Sequence, residues 1–160
     1  VNGLTLRRFR AGDLEEVFGL VWSTVETSYA GVYPPAAIAF FHEYHRPESI
    51  LSDASEGYTV VVHDDGRLVG TGSRLDSDVR RVFVRPEHQG QGIGRLIMAE
   101  LETEALAQGI ERLGLSASLP ALEFYLALGY TIASEESYEL EEGARLDYYE
   151  MAKDLRPRGG

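Results

Sequence analysis

Apolar and polar residues alternate through Leu4-Thr5-Leu6-Arg7-Arg8-Phe9, the spacing of a strand with one buried face. The period then lengthens. Leu14, Val17, Val21 and Val25 share one helical face, and Asp13 followed by Glu16 reads as a capping box that starts the helix. The run Ala30-Gly31-Val32-Tyr33-Pro34-Pro35 breaks it, residues 36–45 (AAIAFFHEYH) predict a second helix, and a looser stretch continues to Gly57. Two strands around the turn Asp64-Asp65-Gly66 predict a hairpin. A further strand, Asp78-Val79-Arg80-Arg81-Val82-Phe83-Val84, leads into a glycine-rich loop. Residues 94–109 predict a helix closed by Gly109, 112–118 a strand, 119–129 a short helix, and two last strands flank Glu142-Gly143. The order β-α-α-β-β-β-α-β-α-β-β is that of an α/β or α+β domain with a mixed sheet.

Length and composition narrow the class. One domain over residues 1–160 is expected, without repeat, linker or low-complexity segment, and a chain of this size buries roughly two-thirds of its unfolded surface. No apolar run approaches the roughly 20 residues of a membrane span, and the first ten residues lack a signal peptide's apolar core. The expectation is a soluble cytoplasmic protein with no membrane partner. The chain has no cysteine, which removes disulfides, thiolate-bound metals and any thiol nucleophile. A net charge of -11 with a single lysine, Lys153, argues against nucleic acid as the main partner. Positive charge gathers in one place: Arg80, Arg81, Arg85 and Arg95 stand against Glu87. That island coincides with the glycine loop.

Glycine occupies every second position at Gly90, Gly92 and Gly94, between a strand and a helix. A strand, a glycine turn and a helix start form an anion site, because unpaired helical N–H groups converge at the positive end of the macrodipole. Two familiar anion loops fail on residue identity. A Walker A loop needs Gly-Lys-Ser/Thr, and no lysine is near. A dinucleotide fingerprint G-x-G-x-x-G would put its third glycine on Arg95 or Ile97. Coenzyme A is the third class: its pyrophosphate would rest on the helix start and its pantetheine arm along the preceding strand.

At this point the sequence resembles the GNAT superfamily of N-acetyltransferases. Gln89-Gly90-Gln91-Gly92-Ile93-Gly94 fits that family's Q/R-x-x-G-x-G/A signature, and Val82-Phe83-Val84 resembles its fourth strand. A second element, A-x-x-F-Y-x-x-x-G-F/Y, fits Ala121, Phe124, Tyr125, Gly129 and Tyr130. Where many members carry Asn, this chain has Ser118, whose hydroxyl can also bond a pantetheine amide. The resemblance implies a mixed, mostly antiparallel twisted sheet flanked by helices. It implies acetyl-CoA as cosubstrate, with no metal, and acetyl transfer to a primary amine of a small molecule or peptide. A homodimer stays open. Cofactor contacts are expected from Val82, Phe83 and Val84, from Gln89 through Arg95, and from Ser118, Phe124 and Tyr125.

Without a thiol, direct attack in a ternary complex is the economical route. Freeing an amine lone pair of pKa about 10.4 at pH 7 costs about 4.6 kcal/mol, whereas expelling a thiolate of pKa about 8.5 forgoes about 2 kcal/mol. The base therefore matters more than the acid. Tyr125 is the candidate acid, and it also shares a helical face with Leu122, Leu126 and Gly129, as a core aromatic would. A backbone N–H near Phe83 or Val84 is the candidate carbonyl donor if the strand splays there. Asp78 is the candidate base, placed by alternation on the face of Arg80, Val82 and Val84; an exposed strand-end carboxylate is the other reading, and Asp76 the fallback. The same loop without turnover would make an acyl-CoA-binding or sensing module.

Other residues admit two readings each. His42 and His45 lie three apart on a helix; without a third ligand they fall short of a zinc site, and a helix-surface pair is the plainer reading. Tyr29, Tyr33, Phe40, Phe41 and Tyr44 either wall an acceptor pocket or pack a core. Tyr148 and Tyr149 alternate faces, so at most one reaches that pocket. The acidic stretch of residues 135–142 either attracts a cationic acceptor or is a solvated hairpin.

Overall fold

A computed structural model describes residues 3–156, so the two residues before and the four after, which the expected domain includes, lie outside the described residues. Seven strands form one sheet: β1 Leu4–Arg8, β2 Tyr58–Asp64, β3 Arg67–Leu75, β4 Asp78–Val84, β5 Arg112–Ser118, β6 Thr131–Glu139 and β7 Arg145–Asp154. Their spatial order is β1-β2-β3-β4-β5-β7-β6, antiparallel at every junction except β4 with β5. The helices are α1 Leu14–Thr24, α2 Pro35–Tyr44, α3 Pro47–Glu56, α4 Ile93–Ala107 and α5 Leu122–Ala127.

The sheet is covered on both faces, and strand alternation explains how. Val60 and Val62 meet Ile93, Ile97, Met98 and Leu101 of α4 on one face, while Val61 meets Val17, Leu20, Val21 and Ile50 of α1 and α3 on the other. Each such fully buried aliphatic side chain contributes roughly 1.5–3 kcal/mol. Helix α4 lies close on β3 because Gly72 offers no side chain: a Cβ there would come within 2.4 Å of Ile97 Cγ2. This packing fixes where the N-terminus of α4 stands.

The start of the first helix differs from the expected capping box. Asp13 does not cap α1; its carboxylate accepts from the Arg10 backbone N–H at 2.8 Å and from Arg7 Nη1 at 2.8 Å, closing a short 3-10 turn over Ala11–Asp13. The stretch expected to be loose before Gly57 holds a full helix, α3, with Pro47 at its first turn. Only Ile50 and Asp53 of it are buried and most of its other positions are polar, so little apolar content marks it in the sequence. At the end of α1 the chain widens into a π-helical turn, Val25–Tyr29, which brings Ser28 and Tyr29 over the middle of the sheet.

Two irregularities open the sheet at its centre. Strands β4 and β5 pair only at Asp78 with Gly114 and Val79 with Leu115, then separate. Beside them Arg81 takes φ 58°, and the register of β3 against β4 slips between Thr71 and Ser73. This bulge overturns the simple alternation expected along β4. Asp78 and Arg80 share one face, but Val82 and Val84 turn to the α4 face, and Arg81 and Phe83 point toward α1, α2 and α3.

Candidate active site

The gap between β4 and β5 leads into a cleft with two lobes of about 330 Å³ each. They meet at Tyr29, Val82, Phe83, Ser118, Ala121 and Tyr125. One lobe runs toward the glycine loop and is walled by Val84, His88, Gln89, Gly90, Ile93, Gly94 and Phe124. The other is aromatic, with Phe40, Phe41, Tyr44, Tyr138 and Tyr148 around Asp78, Arg80, Arg81 and His45.

The loop owes its path to its glycines. Gly90 and Gly92 take φ of 80° and 87°, left-handed values that side chains resist, and Gly92 caps α4. Gly94 answers a different need: a Cβ there would stand 2.9 Å from the Phe124 ring of α5. Leu96 N–H is the first to bond back, to Gly92 O at 3.0 Å, so the N–H groups before it in this turn face outward. The Gln89 side chain donates to Val84 O at 3.1 Å and ties the loop to β4. Gln91, Gly92 and Arg95 are exposed and stand at the rim, outside the lining of either lobe.

Backbone alternation decides between the Phe83 and Val84 amides at the splay. Arg85 N–H donates to Val69 O at 2.9 Å, toward β3, so Phe83 N–H points the same way and Val84 N–H points into the gap left by β5. Of the two candidates, Val84 rather than Phe83 thus turns its N–H to the gap, where no strand pairs with it among the described residues.

Tyr125 comes from α5 and is buried between Phe124 and Tyr130, with ring centroids at 5.0 and 5.8 Å. Among the described residues its hydroxyl has no hydrogen-bond partner, and it is not among the fully enclosed orphan atoms, so it reaches the space of the cleft. Burial, with a smaller contribution from Tyr29, pushes its pKa above that of an ordinary phenol, so it keeps its proton. Tyr29, also raised by burial, interacts with the Ser118 side chain across the junction. Tyr33, expected as a possible pocket wall, is instead a tie: its hydroxyl donates to Asp147 O and accepts from Leu119 N, both at 2.9 Å.

In the aromatic lobe Asp78 is the only carboxylate on the wall among the described residues, half-exposed and 2.7 Å from Arg80 Nε. The histidines separate. His42 stacks on Trp22 at 3.5 Å and meets Glu26 at 2.7 Å, whereas His45 is buried against Phe83 and lines the lobe. The helix-surface reading of the pair therefore fails for His45. No cluster of metal-ligating side chains occurs among the described residues. Arg81 Nε donates to His45 Nδ1 at 3.0 Å, and Arg81 Nη1 meets Asp53 at 2.8 Å. Burial and the Arg81 charge pull the His45 pKa down to about 3.

That shift has a consequence for stability. The unfolded chain takes up this proton near pH 6.5 and the folded chain only near 3, so stability is complete above the first value and is lost between them. Each falling pH unit in that window costs up to about 1.4 kcal/mol through this group. Melting temperature should therefore fall from pH 6.5 to 4 more steeply in the wild type than in His45→Asn; equal slopes would contradict the assignment.

Several wall residues carry no chemical signal in the sequence. Tyr138 lies in the acidic stretch read as a hairpin, which is indeed exposed, yet its ring stands 5.2 Å from Phe40 and lines the lobe. Of the last tyrosine pair Tyr148 lines it, as alternation allowed for one. His88 and Ser28 carried no signal beyond their nearness to the loop and the helix break.

Fold and cleft together are those of an α/β protein whose opened sheet joins a glycine-capped helix start with outward N–H groups to an aromatic chamber. Residues 29–155 match the acetyltransferase (GNAT) domain, and the chain belongs to that family. It is 32% identical over 121 residues to the Bacillus subtilis N-acetyltransferase YjcF, described as uncharacterized, covering 72% of this chain and 84% of that one. A GCN5-related N-acetyltransferase from Rhodopseudomonas palustris shares the fold with a TM-score of 0.84 at 22% identity, over 94% of each chain. So does the PaiA N-acetyltransferase from Thermoplasma acidophilum, solved with coenzyme A, at a TM-score of 0.75 and 19% identity, over 94% of this chain and 98% of that one.

Proposed function

We propose that the protein transfers an acetyl group from acetyl-CoA directly to a primary amine, with the cosubstrate in the loop-side lobe and the amine in the aromatic lobe. The supporting observation is the junction: a Tyr125 hydroxyl without a partner among the described residues and the outward Val84 N–H sit where the lobe of the glycine loop meets an aromatic chamber. The residues suit the cosubstrate. Ile93, Gly94 and Arg95 N–H groups at the start of α4 would hold its diphosphate, and Val82–Val84 with Ser118 and Phe124 would flank the pantetheine arm.

Each step then has a residue. Val84 N–H polarises the thioester carbonyl as negative charge grows on its oxygen. The amine lone pair forms the new C–N bond while the C–S bond breaks, and Tyr125 gives its hydroxyl proton to the departing sulfur. The proton lost from nitrogen passes by water to Asp78 and solvent, and Tyr125 is reprotonated. With no cysteine in the chain, a thiol-borne acetyl-enzyme plays no part.

The test is release of free CoA thiol from acetyl-CoA with a panel of primary amines. Release that depends on both partners, with acetylated amine detected by mass, is the expected result. Tight acetyl-CoA binding with no release for any amine would favour the sensing module.

A further inference from the structure

The inner end of the aromatic lobe holds a relay that amine acetylation alone does not require. Asp53 of α3 receives Arg81 Nη1 at 2.8 Å, and Arg81 Nε donates to His45 Nδ1 at 3.0 Å. Both ends of Arg81 are buried, and its placement depends on the left-handed bulge in β4. An Nδ1 that accepts from a guanidinium cannot carry hydrogen, so the single proton of the neutral ring is on Nε2. That Nε2–H has no partner among the described residues. Among the described residues the fully enclosed orphan side-chain atom is His88 Nδ1, beside the other lobe, so His45 Nε2 keeps contact with the open space of this one.

A donor fixed this firmly calls for an acceptor oxygen. Arg80, a third exposed, lines the same wall, its guanidinium also 3.4 Å from Asp53. The one carboxylate in the lining, Asp78, is already held by Arg80 at 2.7 Å, which leaves little to attract a polycation. Aromatic rings such as Phe40, Tyr44 and Tyr138 supply a flat apolar wall for the remainder of the ligand. Resting on the acyl-transfer reading for what counts as the acceptor, we propose that His45 is a specificity residue whose Nε2–H binds a carboxylate oxygen. The acceptor class is then an α-amino carboxylate with an aromatic or large apolar side chain. Arg81 and Asp53 are positioning residues that act through His45.

The probes are L-phenylalanine and phenethylamine, which differ only by the carboxylate, titrated calorimetrically into protein saturated with CoA. L-phenylalanine should bind roughly 10- to 100-fold more tightly, the range of one hydrogen bond to a charged group. His45→Phe should bring that ratio close to one, and His45→Gln, whose amide can both accept from Arg81 and donate, should retain much of it. Should His45→Phe not fold, the wild-type ratio and His45→Gln still decide. Equal affinities, tighter phenethylamine, or no binding of either probe would overturn the proposal. Acetyl-CoA turnover separates it from the reading it rests on. A preference for L-phenylalanine without acetylation of any amine sinks acyl transfer alone, and acetylation of both probes with equal KM sinks the carboxylate site alone.

Discussion

Tyr125→Phe should lower kcat by about 30- to 100-fold, at or just below the low end for a general acid, and leave acetyl-CoA affinity within a few-fold. The size follows from the chemistry. Expelling an unprotonated thiolate forgoes only about 2 kcal/mol, so an acid at this step has a moderate effect. The selectivity for kcat follows from the packing. Phenylalanine keeps the ring contacts with Phe124 and Tyr130 and removes only a hydroxyl that has no protein partner among the described residues. Because burial and Tyr29 raise the Tyr125 pKa above an ordinary phenol, the wild-type rate should climb with pH as the acceptor amine deprotonates, with no loss from Tyr125 below about pH 10. Steady-state rates at saturating acetyl-CoA check both. A change below threefold would return Tyr125 to the core-aromatic reading.

Gly92→Glu should weaken acetyl-CoA binding by at least about 100-fold while the fold persists. The position has open space and φ 87°, so the new side chain meets no wall; the left-handed backbone costs roughly 1–2 kcal/mol. Its carboxylate would lie at the N-terminal turn of α4, where it would compete for the free N–H groups and repel a diphosphate. Gly92→Asn is the control, since asparagine tolerates this backbone and brings no charge. It should bind within about tenfold of wild type. Equal losses in both variants would attribute the effect to backbone strain instead of anion recognition.

What the sequence disclosed was local. The hairpin at Asp64-Asp65-Gly66 is there, with Asp65 at φ 49° and Gly66 at φ 85° meeting the turn's demand, and the glycine loop caps a long helix as its spacing implied. Helix α3 escaped notice because Pro47 and Gly57 mark its ends but Ile50 and Leu51 are its only large apolar residues. The site's opening was hidden for another reason. Nothing in Val79-Arg80-Arg81-Val82 distinguishes a bulge from a regular strand; the slip against β3 and the parting of β4 from β5 come from tertiary packing. His45 was misplaced for the same cause: a histidine on a helix reads as surface until Arg81, thirty-six residues later, is turned beneath it.

In the proposed reaction the N-terminus of α4 and the splayed edge of β4 together grip the acyl carrier. Backbone amide shifts of nitrogen-15-labelled protein, followed as acetyl-CoA is added, read that grip residue by residue. The largest changes should fall on Ile93, Gly94 and Arg95 and on Val84, saturating together. Shifts confined to other strands, or none at millimolar acetyl-CoA, would contradict it.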